Sequence, residues 1–268
     1  MSDLRMVVCC KQVLDPEAPP TAFKIDSSMR MTLPPEMKPV IGQYDEFALE
    51  AALRVRESVG GTITVISLGN GFVRDVIKKS LAVGSDELVL LEDAAFENSD
   101  SWTTAVALSR AIQKLDGFDV VFCGRQSSDW DAGQVGFGLA ELLGIPVVTL
   151  ARKVEAIDGT LRVEQVIPDG YQVVEVPMPA VVTVTSELGN LRYPVLKGIM
   201  AAAKKQPTIW KPEDLGLDPA EIGSSGRKLG LSKLYQPVKE ARCEMIAGET
   251  PAEAGANLAI KLREAKVI

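Results

Sequence analysis

The chain of 268 residues contains no histidine. That removes the commonest general base, the commonest zinc ligand and every Ser-His or Cys-His nucleophile pair. The absence counts against hydrolase or transferase chemistry run by the chain itself. It fits a protein whose chemistry is carried by a bound cofactor. Cysteine is sparse, at positions 9, 10, 123 and 243, with no CxxC spacing. Neither a metal cluster nor a disulfide framework is therefore expected, and the four read as reduced, small core residues of a cytoplasmic protein. Positive charge is in deficit, with 29 Lys and Arg against 36 Asp and Glu. No electrostatic footprint for nucleic acid is present, and the net charge of −7 reads as solubility. No apolar run reaches membrane-spanning length, and Met1–Met6 is too polar for a signal peptide, so stable membrane insertion is not expected.

What is present suffices for a large core: 46% of the residues are hydrophobic, which fits one large α/β domain with appendages. Met6–Cys10 is a short continuous apolar run, as in a strand buried on both faces. Lys11–Pro35, rich in Pro, Asp and Ser, reads as a loop with room for an edge hairpin. Gln43–Glu46 opens a helix with Phe47, Leu49, Ala52, Leu53 and Val55 on its apolar face, stopped at Gly60-Gly61. Strand and helix then alternate through Ile63–Leu68, Phe72–Val83, Glu87–Leu91, Thr103–Leu115, Phe118–Cys123, Gly136–Leu143 and Ile145–Thr149. This order predicts a doubly wound, mostly parallel α/β sheet with helices on both faces and a ligand beyond the strands' C-terminal ends.

From Arg152 the pattern changes. Lys153–Ala156, Leu161–Ile167, Tyr171–Val176 and Ala180–Thr185 read as an antiparallel β meander added at the sheet edge, with a hairpin turn at Asp158-Gly159. Ile199–Lys205 reads as a short helix. Pro207–Pro237 has too few recurring large apolar residues for a core, so an extended arm is expected. A C-terminal helix follows over Thr250–Lys266, with a capping-box start and Ala254, Leu258 and Leu262 on its apolar face.

One loop is the most informative segment: Cys123-Gly124-Arg125-Gln126-Ser127-Ser128-Asp129-Trp130-Asp131-Ala132-Gly133-Gln134-Val135-Gly136. A strand leads in and a helix leads out, the arrangement by which α/β proteins aim backbone N–H groups at a phosphate. It is neither a Walker A loop nor a GxGxxG fingerprint. Gly124 and Gly133 permit close backbone approach, and Ser127 and Ser128 offer hydroxyls. Gln134 to Gly136 open the helix whose N–H groups can meet a phosphate. Asp129 and Asp131 would repel one, and are better placed to cap the loop backbone or bind ribose hydroxyls. On its residues alone the loop reads equally as a polar connection without a ligand.

Five collinear segments resemble the β subunit of electron transfer flavoprotein. They are Val7-Val8-Cys9-Cys10-Lys11-Gln12-Val13-Leu14-Asp15, the helix start Gln43-Tyr44-Asp45-Glu46-Phe47, the loop above, the strand Pro179-Ala180-Val181-Val182-Thr183, and Asn190-Leu191-Arg192-Tyr193-Pro194-Val195-Leu196-Lys197-Gly198-Ile199-Met200. The resemblance implies an adenine nucleotide alpha hydrolase-like sheet and a heterodimer whose α subunit mainly holds the redox FAD at the interface. It implies an electron carrier rather than a stand-alone enzyme. Electrons would pass between flavin dehydrogenases of the acyl-CoA type, as in fatty-acid β-oxidation, and a membrane quinone oxidoreductase. The β subunit itself would hold a structural AMP or, in electron-bifurcating members, a second FAD that accepts hydride from NADH.

The same resemblance carries Cys9 onto the adenine region, with Gly42, Gln43, Tyr44, Asp45 and Leu68 nearby. It brings Tyr44 toward the α-subunit flavin. Leu196, with Arg192 and Tyr193, matches the dehydrogenase-docking segment. Residues 1–205 then read as the nucleotide-binding domain with meander and docking loop, and 206–268 as an arm and helix packing on the partner. Departures matter too. Gly42 replaces an Asn, Pro16 stands where some members carry an aromatic, and Ala201–Ala203 lacks one lysine. Trp130 and Ala132 replace a Gly and a Thr of the anaerobic and bifurcating branch. The missing threonine hydroxyl is one a diphosphate could use, so AMP is the expected nucleotide. A nucleotide-binding regulatory module of the stress-protein type, sharing only the sheet, is the rival class; the arm argues against it.

Overall fold

A computed structural model describes residues 3–237 and 243–268. The first two residues of Met1–Met6, and residues 238–242 of the expected C-terminal segment, lie outside them. The chain divides into two compact units, Met1–Ser232 and Lys233–Ile268.

The first unit contains, in chain order, β1 (Arg5–Cys9), α1 (Gln43–Val59), β2 (Thr62–Gly69), α2 (Arg74–Ile77), α3 (Lys79–Val83), β3 (Glu87–Glu92), α4 (Ser101–Lys114) and β4 (Val120–Gly124). Then come α5 (Val135–Leu143), β5 (Val147–Ile157), β6 (Thr160–Ile167), β7 (Gly170–Pro177), β8 (Ala180–Val184), α6 (Leu196–Lys204) and β9 (Thr208–Trp210). These strands form one nine-stranded sheet in the order β7-β6-β5-β8-β4-β1-β2-β3-β9. Pairing is parallel from β5 through β9 and antiparallel across β5, β6 and β7.

The period of two along each strand feeds two cores. Met6, Val8, Val120, Phe122, Ala180 and Val182 pack with Phe47, Leu49 and Leu53 of α1 and Ile77 of α2. Their neighbours Val7, Cys9, Val121, Cys123 and Val181 pack with Ala105, Leu108 and Ile112 of α4 and Leu139 of α5. Burial on both faces is why these strands are continuous apolar runs rather than alternating ones. Asp100 starts α4 by accepting the Thr103 N–H at 2.9 Å, while the Thr103 hydroxyl oxygen accepts the Asp100 N–H at 3.0 Å.

Three expectations are corrected. First, Ala180–Val184 is not part of the meander. All five of its residues are buried, and the strand inserts between β5 and β4, parallel to both. The meander proper is β5, β6 and β7, and β5 joins Ile145–Thr149 and Lys153–Ala156 into one long strand. Its first half pairs with β8 and its second with β6; the register shifts near Leu150, whose φ is +55° and whose N–H donates to Thr183 Oγ1 at 3.1 Å. Second, residues 207–232 are not an extended arm. Thr208–Trp210 closes the far edge of the sheet on β3, and Leu215, Leu217 and Ile222 are buried in the second core. Isolated apolar residues do this without any repeating pattern. Asp100 Oδ2 also accepts the N–H groups of Lys228 and Leu229 at 2.6 and 2.8 Å. Third, Phe72–Val83 is two short helices rather than one, and α6 begins at Leu196 rather than Ile199. At the α2–α3 junction the Ser80 hydroxyl donates to the Ile77 carbonyl at 2.8 Å, a local bond that competes with the helix ladder.

The second unit holds α7 (Pro251–Glu264), capped by Thr250, whose Oγ1 accepts the Glu253 N–H at 3.2 Å, with Pro251 in the first turn. No residue of α7 is buried. Among the described residues no helix is long and apolar enough to cross a membrane.

Candidate functional site

β1, β2 and β3 step across the sheet in one direction. The chain then returns through α4 and places β4 on the other side of β1. Strand order therefore reverses between β1 and β4, the place where open α/β sheets bind ligands. Two loops leave the sheet there, residues 10–13 and residues 124–134, and the start of α1 stands beside them.

Asp45 joins the three. It is buried, 8% exposed, in the first turn of α1. Its Oδ2 accepts the Lys11 N–H at 2.8 Å, and the Gly124 backbone packs closely against its Oδ1. A Cβ at Gly124 would lie 2.6 Å from Asp45 Oδ1 and 2.7 Å from Tyr44 Cβ; at Gly42 it would lie 2.9 Å from Asp45 Oδ2. Glycine is thus what lets both backbones close on this carboxylate. Burial pushes the Asp45 carboxyl up to about 7, against the opposing pull of its hydrogen bond from Lys11. Lys11 completes the connection. Its carbonyl accepts the Gly42 N–H at 2.8 Å, and its Nζ pairs with Asp129 at 2.7 Å.

The loop from Cys123 to Gly136 is tied down at several points. The Arg125 N–H donates to the Val184 carbonyl of β8 at 2.9 Å, and its guanidinium lies 5.1 Å from the Tyr44 ring centre. Tyr44 also meets Phe47 edge to face at 6.0 Å. Asp131 has φ +50°; its N–H donates to the Ser127 carbonyl at 2.9 Å, and its Oδ1 accepts from Gln126 Nε2 at 2.8 Å. Asp129 and Asp131 therefore both tie the loop to neighbouring groups. Gly133, at φ +63°, turns the chain into α5, where Gln134 makes no side-chain cap. The first N–H groups of α5 are left for another acceptor. Gly136 fits because a Cβ there would come within 2.6 Å of Thr183 Cγ2 on β8. Within the loop, Ser128 Oγ is buried and, like Ser67 Oγ, Ser85 Oγ and Arg74 Nη1 elsewhere among the described residues, has no hydrogen-bond partner.

Cys9 and Cys123 are register partners on β1 and β4. The Cys123 thiol is raised by its hydrogen bond with Cys9 and by burial, and Cys10 is raised by burial, so both stay neutral. Gln43 is exposed at the α1 start, and Trp130 and Ala132 are exposed on the loop, Trp130 by 59%. Leu68 lies one strand further along, half-buried against the second core, and is not drawn into the loop contacts.

The Arg192–Leu196 segment is elsewhere, leading into α6, which packs on α3. Tyr193 and Leu196 are 94% and 73% exposed, and Val195, Ile199 and Met200 extend this apolar surface. Arg192 does not contribute a free charge to it. Its guanidinium binds Glu50 at 3.0 Å and also Glu57. Burial acts to raise the Glu50 carboxyl, but the bonds from Arg192 and Arg54 outweigh it and hold it below its usual value. A cavity of about 450 Å³ also lies between α1 and the meander, lined by Arg54, Arg152, Lys153 and Glu164 among others. Its charges pair with acids, Arg152 with Glu164 at 3.2 Å and Lys153 with Glu155 at 2.9 Å, which makes it a solvated cleft apart from the loop.

The family model for the electron transfer flavoprotein domain matches residues 36–215. The chain is 40% identical over 266 residues to electron transfer flavoprotein subunit beta of Thermoanaerobacterium thermosaccharolyticum, covering 99% of this chain and 100% of that one. The chain belongs to the electron transfer flavoprotein β-subunit family. It is also 35% identical to the caffeyl-CoA reductase–Etf complex subunit CarD of Acetobacterium woodii, over 99% of this chain and 100% of that protein. Protein FixA of Azotobacter vinelandii is 32% identical over 91% of this chain and 88% of its own length. Membership in the electron transfer flavoprotein family assigns the chain a role in flavin-based electron transfer, and implies an α-subunit partner and dehydrogenases that exchange electrons with the pair.

Proposed function

We propose that this β subunit holds one adenine nucleotide, AMP, in the cradle of residues 124–136, and that it serves as the non-catalytic half of an electron carrier. The observation that carries this reading is the buried, unpartnered Ser128 hydroxyl in the loop that opens the uncapped α5. A buried hydroxyl without a partner is disfavoured unless a ligand supplies one. In this reading Ser128 Oγ donates to the phosphate, and the N–H groups at Gln134–Gly136 face it with the positive end of the helix. Lys11 and Gln126 neutralise or occupy the two aspartates that would otherwise repel it. Cys9 and Gly42 to Asp45 border the base. Ala132 brings no hydroxyl for a second phosphate, which favours AMP over a second FAD.

FAD, mainly held by the α subunit, would supply the redox chemistry. This chain's part is to present Tyr44, fixed between Arg125 and Phe47, toward that interface, and to offer Leu196 and Tyr193 as an apolar anchor for a dehydrogenase. Acyl-CoA-type dehydrogenases as donors and a quinone oxidoreductase as acceptor complete the proposal. The test is to purify the chain with its α subunit, denature it and chromatograph the released nucleotides. One AMP and one FAD per heterodimer are expected. Two FAD and no AMP would overturn the AMP assignment in favour of an electron-bifurcating subunit.

A further inference from the structure

We infer that Asp45 is a positioning residue whose ionised carboxylate brackets the two loops at the β1–β4 switch point and thereby sets how tightly the cradle retains its nucleotide. The inference rests on the nucleotide reading above but concerns a residue that acts through others. The carboxylate accepts the backbone N–H of Lys11 from one loop, and the Gly124 backbone of the other closes on its second oxygen. Glycines at 42 and 124 leave room for nothing else. Lys11, fixed at its backbone in this way, carries its ammonium to Asp129 in the middle of the cradle, 118 residues away in sequence. Asp45, Lys11 and Asp129 thus form one chain of contacts from the α1 start to the loop that contains Ser128.

A proton on Oδ2 would set donor against the Lys11 donor, and one on Oδ1 would press an O–H onto the close-packed Gly124 backbone, so the bracket would loosen on that side. The groups that face Asp45 are Lys11 and Asp129 from the two loops, Cys10 and Cys123 from the ends of β1 and β4, and Glu46 beside it on α1. Both thiols are neutral, Glu46 is drawn to Lys79 at 2.6 Å, and Asp129 is paired with Lys11. Asp45 is therefore the group in this set that changes charge near neutrality, and burial is what puts it there.

The experiment uses the full chain with its α subunit and measures AMP dissociation from pH 5.5 to 8.5 for the wild type, Asp45→Asn and Lys11→Met. Asp45→Asn should release AMP roughly 10- to 100-fold faster at pH 8, the loss of a charge-assisted bond at a buried site. The wild type should approach the rate of the variant as pH falls through about 7. AMP itself titrates in this range, and the Asn variant carries that contribution alone. Lys11→Met loses the ammonium but keeps the N–H, so it should retain the wild-type pH dependence. Parallel profiles for wild type and Asp45→Asn would overturn the inference. So would a wild-type affinity that rises relative to the variant as pH falls, which is the sign of simple repulsion between carboxylate and phosphate. Hydrogen exchange of segments 10–13 and 124–134, corrected for intrinsic rates, is a second readout on wild type alone. Protection lost at pH 6 relative to pH 8 supports the bracket even if Asp45→Asn does not fold, and unchanged protection overturns it. If no AMP binds at any pH but that protection still titrates, the nucleotide reading fails while the bracket stands.

Discussion

Ser128 makes the sharpest prediction at the scale of one residue. Its hydroxyl has no partner in the described chain, so removing it leaves no protein group unsatisfied. Ser128→Ala should leave the unfolding midpoint of the nucleotide-free protein unchanged or slightly raised, and should weaken AMP retention about tenfold, the usual worth of one hydrogen bond to a charged group. Unchanged AMP affinity by calorimetry would remove Ser128 from the cradle. Asp45 makes an opposite pair of predictions for stability and binding. Its carboxyl is raised in the folded state, so between the ordinary carboxylate range and about 7 the folded chain keeps a proton that the unfolded chain has released. That contribution to stability is full at low pH and is lost as pH rises through about 7. Urea midpoints should therefore fall from pH 5 to pH 8 by more in the wild type than in Asp45→Asn. Ser128 entered the sequence reading beside Ser127, as one of two hydroxyls in a Gly- and Ser-containing loop between a strand and a helix. The resemblance set Asp45 near the adenine region, but its hold on the two loops, and the part of Lys11 in it, was not legible in the sequence. An Asp in the first turn of a helix reads as dipole compensation, and nothing in its spacing shows that two glycine backbones close on it.

At the scale of elements, α6 depends on an ion-paired anchor and an exposed tip. Arg192→Ala would strip the buried Glu50 of its largest partner while leaving Arg54 in place. A loss of about 1–3 kcal/mol in stability is expected by chemical denaturation. Leu196→Ala touches only exposed surface. Heterodimer formation and cofactor content should stay as they are, and electron exchange with the dehydrogenase should slow, as stopped-flow absorbance would show; unchanged rates would exclude Leu196 from docking. The parallel strands and helices were readable because burial on both faces writes itself as unbroken apolar runs. β8 and β9 were not. A buried run such as Ala180–Val184 looks the same beside an antiparallel hairpin as between parallel strands. A three-residue strand such as Thr208–Trp210 has no period to detect.

At the scale of the whole molecule, the described residues of both cores lie within the first unit, and no residue of α7 is buried. Ending the chain at Ser232 should therefore shift the melting temperature of the first unit by only a few degrees, as calorimetry would show. Compositional reading placed the division near residue 205 because proline, glycine and serine thicken there. Leu215, Leu217 and Ile222 extend the packed unit to Ser232, since a handful of well-placed apolar residues is enough to hold a segment without a pattern.

The insertion of β8 beside β4 has a consequence for how the chain is made. The Arg125 N–H that fixes the cradle bonds to the Val184 carbonyl, and Gly136 rests on Thr183. On a ribosome the cradle is synthesised well before the strand that supports it, with the whole β5–β7 excursion emerging in between. Until residue 184 clears the exit tunnel, the exposed edge of β4 is unpaired, so a nascent chain stalled before that point presents a sticky, ligand-incompetent sheet for a chaperone to cover.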